Sequence, residues 1–123
     1  MIKFRAYLKE RPYLKGTGII VDVQEINYKY EEIVYENGKY MEVADFKDII
    51  LIQSTRLKDV HDSEFFDKDI ARDIDSEELG LVEYVNGAFV IKFASGDSVD
   101  LYDVKDNFEI IGNQFENREL LEE

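Results

Sequence analysis

Apolar and polar residues alternate along the beginning of this chain. The apolar positions are Ile2, Phe4, Ala6 and Leu8. A period of two is typical of a β-strand with one buried face. The pattern stops at Arg11-Pro12 and resumes in the β-branched run from Ile19 to Val23, which continues in alternation to Tyr30. The sequence therefore predicts two strands, separated by a turn.

Two Asn-Gly pairs predict β-hairpins. Asn37-Gly38 lies between the arms IVYE and KYMEV, and Asn86-Gly87 joins LGLVEYV to AFVIKF. A type I′ turn needs positive φ at both central residues, which Asn and Gly tolerate best. The consecutive apolar residues of DIILIQST predict a strand that is buried on both faces, and VDLY and FEIIG predict two later strands.

The segment from residue 62 to residue 78 fits two structures. It carries eight acidic and two basic residues. Apolar residues at every fourth position suit one face of a helix, whereas Phe65-Phe66 and Ile70-Ala71 suit short strands on either side of a turn. The pattern leaves both interpretations open.

The end of the chain predicts a short helix that closes the core. Gly112-Asn113 would reverse the chain after a strand, and Asn117 would cap the first helical turn. Leu120 and Leu121 would then lie on the core. Deleting residues 117–123 would cost about 2 to 5 kcal/mol, on the scale of losing buried leucines.

Length and composition indicate a single globular domain over residues 1–123. The chain has a mass of 14.4 kDa, is 45% hydrophobic and contains no cysteine. A disulfide framework and a thiolate metal site are therefore excluded. Because no apolar run suits a signal peptide or a membrane span, we expect a cytoplasmic protein without membrane association.

Charge is distributed unevenly along the sequence. Residues 1–61 carry ten basic and ten acidic side chains, whereas residues 62–123 carry five and eighteen, so the whole net charge of −13 lies in the second half. The first fifteen residues are basic. Opposite charges on the two ends favour self-association, in which the basic N-terminal strand of one copy meets the acidic half of another.

The basic N-terminus raises the question of nucleic-acid binding. If residues 3–15 were extended throughout, basic and aromatic side chains would share one face, as in grooves for single-stranded nucleic acid. The candidate binding residues of this row are Lys3, Arg5, Tyr7, Lys9 and Arg11. Pro12 interrupts the row and the net charge of −13 repels phosphate, so a nucleic-acid partner is disfavoured.

The acidic segment suggests the opposite role, mimicry of a nucleic acid. Asp73, Asp75 and Glu77 could line one face of a strand at about 6.6 Å per two residues. A calcium-binding loop that begins at Asp73 is excluded, because Glu78 stands where its glycine belongs and Tyr84 where its bidentate glutamate belongs.

Motifs for catalysis or cofactor binding are sparse in this sequence. His61 is the single histidine, and neither a phosphate-binding loop nor a metal-spaced histidine or cysteine pair occurs. We therefore expect a non-enzymatic protein that needs no cofactor and no metal.

Four separated pieces of the sequence resemble the YopX-like family of phage and prophage proteins. They are IKFRAY at 2–7, LIQSTRLKD at 51–59, EFFDKDIA at 64–71 and EIIGNQFENRELLEE at 109–123. The resemblance implies an all-β (mainly β) fold, in which a strongly bent sheet forms a barrel-like (SH3-like) substructure. It also implies a phage-encoded protein in the host cytoplasm, without an established activity.

Two departures from the family pattern bear on the backbone. Arg56 and Lys68 stand where the family usually has glycine. If those glycines serve positive φ, either each replacement costs about 1 kcal/mol or more, or the turn has changed.

Taken together, these features support a phage-encoded, self-associating interaction protein. The alternative is an acidic regulator that binds host proteins, as a nucleic-acid mimic, or nucleic acid.

Overall fold

The computed structural model describes residues 3–14 and 16–121, and within these ranges nearly all regular structure is β-strand. The chain divides into two compact units, residues 1–53 and 54–123. The mainly β fold that the family resemblance implied is therefore confirmed. The interpretation of the chain as one domain stays a prediction.

The first unit is an antiparallel sheet in the order β4-β3-β2-β1-β5. Its strands are β1 Phe4–Leu8, β2 Ile19–Asn27, β3 Glu32–Asn37, β4 Tyr40–Asp45 and β5 Ile49–Lys58. A 3-10 turn, Phe46–Asp48, connects β4 to β5. The second half of β5 continues into the second unit, where Ser54 pairs with Phe66 of β6, Glu64–Phe66.

One face of the first sheet forms its core. The buried members of this cluster are Ala6, Leu8, Ile33, Tyr35 and Ile49. Ala6 lies opposite Val21 on one side and Leu51 on the other, so the alternation predicted for β1 places its apolar residues on the core face. The prediction of this strand is confirmed from Phe4 to Leu8. Ile2 lies outside the described residues.

The second unit contains a five-stranded antiparallel sheet in the order β10-β9-β8-β7-β11. Its strands are β7 Asp69–Asp73, β8 Leu79–Val85, β9 Ala88–Phe93, β10 Ser98–Asp100 and β11 Phe108–Asn113. A short helix, α1 Leu101–Val104, follows β10. The core of this unit consists of Phe65, Ala71, Val82, Ile91, Leu101 and Phe108.

Both predicted hairpins form, but only one has the predicted turn. In the second hairpin Val85 pairs with Ala88, and Asn86 and Gly87 have φ values of 50° and 90°, as a type I′ turn requires. In the first hairpin Asn37 itself pairs with Tyr40, so the turn residues are Gly38 and Lys39. Only Gly38 of these has positive φ, which corrects the predicted turn by one residue.

The acidic segment 62–78 resolves into strands rather than a helix. β6 and β7 flank a tight turn at Asp67 and Lys68. Lys68 has φ of 70° and Arg56 has φ of 64°, so both replacements of the family glycines occupy the left-handed region, which decides between the two possibilities left open for these turns.

Three local predictions are corrected by the structure. The strand expected to reach Tyr30 ends at Asn27. Ile50 in β5 is 40% exposed, so that strand is not buried on both faces. Leu101 and Tyr102 belong to α1 and not to a strand, because the Asp100 side chain accepts a hydrogen bond from the Tyr102 N–H and starts a helical turn.

The predicted closing helix is a 3-10 turn, Arg118–Leu121, with no buried residue. Leu121 is 38% exposed, and the Asn117 side chain accepts from the Asn113 N–H at 3.1 Å instead of capping the turn. The prediction that two buried leucines seal the core is therefore wrong.

Both sheets are open rather than closed. β4 ends the first sheet, and β10 and β11 end the second. No closed barrel forms among the strands of residues 3–14 and 16–121, and the barrel-like, SH3-like form stays a prediction. Over the same residues, no helix is both long enough and apolar enough to cross a membrane.

Candidate functional site

A cleft of about 460 Å³ opens beside β4 in the first unit. Three segments line it: the end of β1 with the loop that follows, the end of β3, and the run from Glu42 to Asp48. Its apolar lining residues are Leu8, Leu14, Tyr35, Val43 and Ala44, and its charged lining residues are Lys9, Arg11, Glu42, Asp45 and Asp48. The cleft therefore combines an apolar floor with charges of both signs.

Hydrogen bonds hold the loop after β1 against the 3-10 turn Phe46–Asp48 that follows β4. The Lys9 N–H donates to the Asp48 carbonyl at 2.9 Å, and the Lys9 ammonium donates to the Lys47 carbonyl at 2.9 Å. Arg11 forms an ion pair with the Asp48 carboxylate. The Thr17 hydroxyl accepts from the Arg11 N–H at 3.0 Å, which fixes one wall of the cleft.

Tyr35 and Glu42 form a polar contact on the floor of the cleft. The two residues lie directly opposite each other on β3 and β4, and the Tyr35 hydroxyl donates to Glu42 Oε2 at 2.9 Å. Burial raises the pKa of Tyr35, and the hydrogen bond to Glu42 and its negative charge raise it further. The hydroxyl therefore remains a donor at neutral pH, and this pair orients the Glu42 carboxylate.

β4 is an open sheet edge bearing unusually exposed apolar side chains. Tyr40, Met41 and Val43 are 74%, 57% and 55% exposed. The strand pairs with β3 along its whole length, and no backbone hydrogen bond from the described chain reaches its other side. Free N–H and C=O groups on such an edge can pair with another extended chain.

The predicted basic row is divided between the strand and the loop. β1 ends at Leu8, so Arg5 and Tyr7 share its face, while Lys9 and Arg11 lie beyond it at the cleft. Arg5 Nε lies 3.4 Å from Asp22 Oδ1 across the ladder, and Lys3 is exposed before the strand. The residues do not form one continuous extended row, because β1 ends at Leu8 and the chain turns at Pro12 and Tyr13.

The predicted acidic row does not line a strand. β7 ends at Asp73, whose Oδ1 accepts from the Asp75 N–H at 2.8 Å and from the Asn107 amide at 3.0 Å. The chain turns there, and Glu77 has φ of 64°. Asp73 therefore serves as a turn-stabilising acceptor. Within residues 3–14 and 16–121, no group of three or more His, Cys, Asp or Glu side chains is placed to hold a metal ion.

The cleft itself was not found by sequence reasoning. Tyr35, Glu42 and Val43 belong to the first predicted hairpin, whose apolar residues fall on both faces of its second arm. The second arm contains Tyr40, Met41 and Val43 within four positions. It is therefore more apolar than a strand with one solvent-exposed face requires. This excess of apolar residues was the feature of the sequence that could have indicated a binding surface on this arm.

Fold and site together define a mainly β protein that exposes the open edge of a sheet beside a partly apolar cleft. The family model described as YopX protein matches residues 3–122. The chain therefore belongs to the YopX family. The match covers nearly the whole of both compact units.

A solved structure shares the fold over almost the full length. It is the crystal structure of protein EF1440 from Enterococcus faecalis, which is 23% identical, with 99% of each chain covered and a TM-score of 0.58. At this identity the likeness is evidence for the fold alone. No curated protein matches the chain significantly.

Proposed function

We propose that this YopX-family chain is a non-catalytic binding protein that accepts an extended polypeptide segment along the open edge of β4. The observation that carries the proposal is that the open edge of β4 adjoins a cleft of about 460 Å³. Added strands gain affinity from main-chain hydrogen bonds and specificity from pockets for alternate side chains. A phage-encoded protein that binds a host protein in the cytoplasm would use such a surface.

The composition of β4 supports this role. Exposed edges in natural proteins are usually protected by lysine, proline or a bulge. β4 contains no lysine, proline or bulge among its six residues, its charged side chains are Glu42 and Asp45, and its pairing with β3 is regular from Tyr40 to Asp45. Its exposed Met41 and Val43 would be covered by an added strand, whose other face would reach Leu14 and Tyr35 in the cleft.

Hydrogen exchange on selected peptides tests the proposal. Peptides of about eight residues, within the usual range of strand lengths, would be selected from a random library for binding to the intact chain. We expect the selected peptides to protect the β4 amides from exchange. Val43→Lys should abolish binding, because a lysine blocks an edge, whereas the matched control Val85→Lys, at an exposed strand position of the second unit, should not. Protection elsewhere, or no selectable binder, would overturn the proposal.

Self-association is the second candidate. The charge difference between the two halves of the chain favours it, with an even balance in residues 1–61 and the whole net charge of −13 in residues 62–123. Arg5, Lys9 and Arg11 each already contact a partner within the first unit, which leaves less basic surface for a second copy. Sedimentation at low and high salt tests it: a salt-sensitive dimer supports this candidate, and a monomer at both salt concentrations rejects it.

A further inference from the structure

The outward face of the β3–β4 hairpin carries a short apolar strip between carboxylates. Cross-strand partners share a face, so Val34 and Val43 lie together, Met41 lies beside Glu36, and Glu32 lies beside Asp45. This is the face opposite the one that carries buried Ile33 and Tyr35. Glu36 flanks the strip at one end, beside Met41. Glu32 and Asp45 flank it at the other end, so both ends carry negative charge.

Glu32 and Asp45 oppose each other, and among the described residues no cation forms an ion pair with either. Like charges directly opposite across a ladder are destabilising. Within residues 3–14 and 16–121 no Lys or Arg pairs with Glu32, Glu36 or Asp45. Asp45 precedes a 3-10 turn, yet its side chain makes no capping hydrogen bond. The repulsion between Glu32 and Asp45 is therefore not offset by a capping hydrogen bond from Asp45.

From this arrangement we infer that the partner segment is a basic amphipathic strand of another protein, with Lys or Arg alternating with apolar residues. The inference rests on the proposed strand addition at β4. The aliphatic stem of a lysine can cover Met41 and Val43 while its ammonium group reaches Glu36 or Asp45. The alternate apolar side chains then face Leu14 and Tyr35 in the cleft. Basic groups on this side would offset the repulsion between Glu32 and Asp45 by their own attraction to the carboxylates.

The same charges disfavour a second copy of this chain as the occupant. Pairing β4 with β4 of another copy would bring two sets of Glu32, Glu36 and Asp45 to one continuous face. Carboxylates within roughly 10 Å of one another repel at ordinary ionic strength. The edge is thus protected against its own copies and open to a basic strand.

Three capped peptides of matched length provide the probe, with alternating Val-Lys, Val-Thr and Val-Glu sequences. Binding to the intact chain is measured by titration calorimetry, and the site is located by hydrogen exchange of the β4 amides. We expect the Val-Lys peptide to bind about tenfold more tightly than Val-Thr, as two exposed ion pairs allow, and Val-Glu to bind more weakly than both. High salt should remove most of the difference between Val-Lys and Val-Thr.

The double variant Glu36→Gln with Asp45→Asn removes the two carboxylates that the ammonium groups reach and so separates charge from structure. It should weaken Val-Lys binding about tenfold and leave Val-Thr binding unchanged. The matched control Asp75→Asn with Glu77→Gln, in the second unit, should change neither. Equal binding of all three peptides at β4 would overturn the basic-strand inference and keep the proposed function, whereas absence of β4 protection by every peptide would overturn both. A dimer whose formation protects β4 would identify the second copy as occupant and overturn the inference as well.

Discussion

Arg72 and Glu109 lie directly opposite each other on β7 and β11, where the guanidinium group donates two hydrogen bonds to one carboxylate oxygen. Nε and Nη2 of Arg72 are 3.1 Å and 2.7 Å from Glu109 Oε2. His61 Nε2 lies 3.4 Å from the other oxygen. The hydrogen bond from Arg72 is the largest cause that lowers the pKa of Glu109, and the same bond raises the pKa of Arg72.

The lowered pKa of Glu109 predicts a loss of stability in acid. A carboxyl group whose pKa falls below its ordinary value of 4.5 stabilises the folded state above that value, and the contribution disappears as the pH falls through the folded-state pKa. We expect Glu109→Gln to lower the free energy of unfolding at neutral pH, and this deficit to shrink at about pH 3. Urea titrations at both pH values measure it. The exposed control Glu119→Gln should change the free energy of unfolding little at either pH. If Glu109→Gln lowered the free energy of unfolding equally at both pH values, the lowered pKa of Glu109 would be contradicted.

Asp59 joins three backbone groups and should be the most sensitive carboxylate in the second unit. It is 6% exposed, and its oxygens accept from the N–H groups of His61, Ser63 and Ile110, each at 2.9 Å. Asp59→Ala leaves these donors without their acceptor and should cost about 3 kcal/mol.

Thermal and urea unfolding would measure the cost of removing Asp59. The control Asp75→Ala removes an exposed carboxylate and should change the free energy of unfolding by less than about 0.5 kcal/mol. Equal effects of the two substitutions would show that the Asp59 hydrogen bonds contribute little.

Arg56 offers a stabilising substitution. Its φ of 64° is unfavourable for an L-residue with a Cβ, and its side chain is exposed. Arg56→Gly should raise the free energy of unfolding by about 0.5 to 1 kcal/mol, because glycine adopts this conformation without strain. The control Gln53→Gly, at an exposed position of the same strand without positive φ, should lower it by a similar amount. A decrease for Arg56→Gly would contradict the strain argument.

The end of the chain is held by an amide and not by leucines. Asn117 accepts from the Asn113 N–H at 3.1 Å and lies against Gly112, where an added Cβ would be 2.5 Å from Asn117 Oδ1. We expect Asn117→Ala to cost about 1 to 2 kcal/mol and Leu121→Ala less than about 0.5 kcal/mol. Melting midpoints of the two variants compare them directly, and a larger loss for Leu121→Ala would restore the original prediction.

Features governed by neighbouring residues were predictable from the sequence. Asn86-Gly87 forms the type I′ turn that its two residues favour. The alternation of β1 is likewise confirmed. In each case the conformation depends on a few adjacent residues, so the local pattern carried the information.

Predictions that depended on distant partners were less successful. The first hairpin turns at Gly38 and Lys39 because the β3–β4 register, set along the whole ladder, pairs Asn37 with Tyr40. Leu121 is exposed although its spacing suits a buried helix face. Whether a side chain is buried depends on which residues pack against it. Spacing along the chain does not specify those residues.

The sequence by itself determined a mainly β chain, its hairpin positions and the placement of net charge, because strand alternation, turn chemistry and ionisation are local properties. Only the tertiary structure decided that β4 ends its sheet, that Tyr35 meets Glu42 beside a cleft, and that Glu32 faces Asp45. Strand order and register arise from hydrogen bonds and packing between segments far apart in the chain. The candidate binding edge is a consequence of that order.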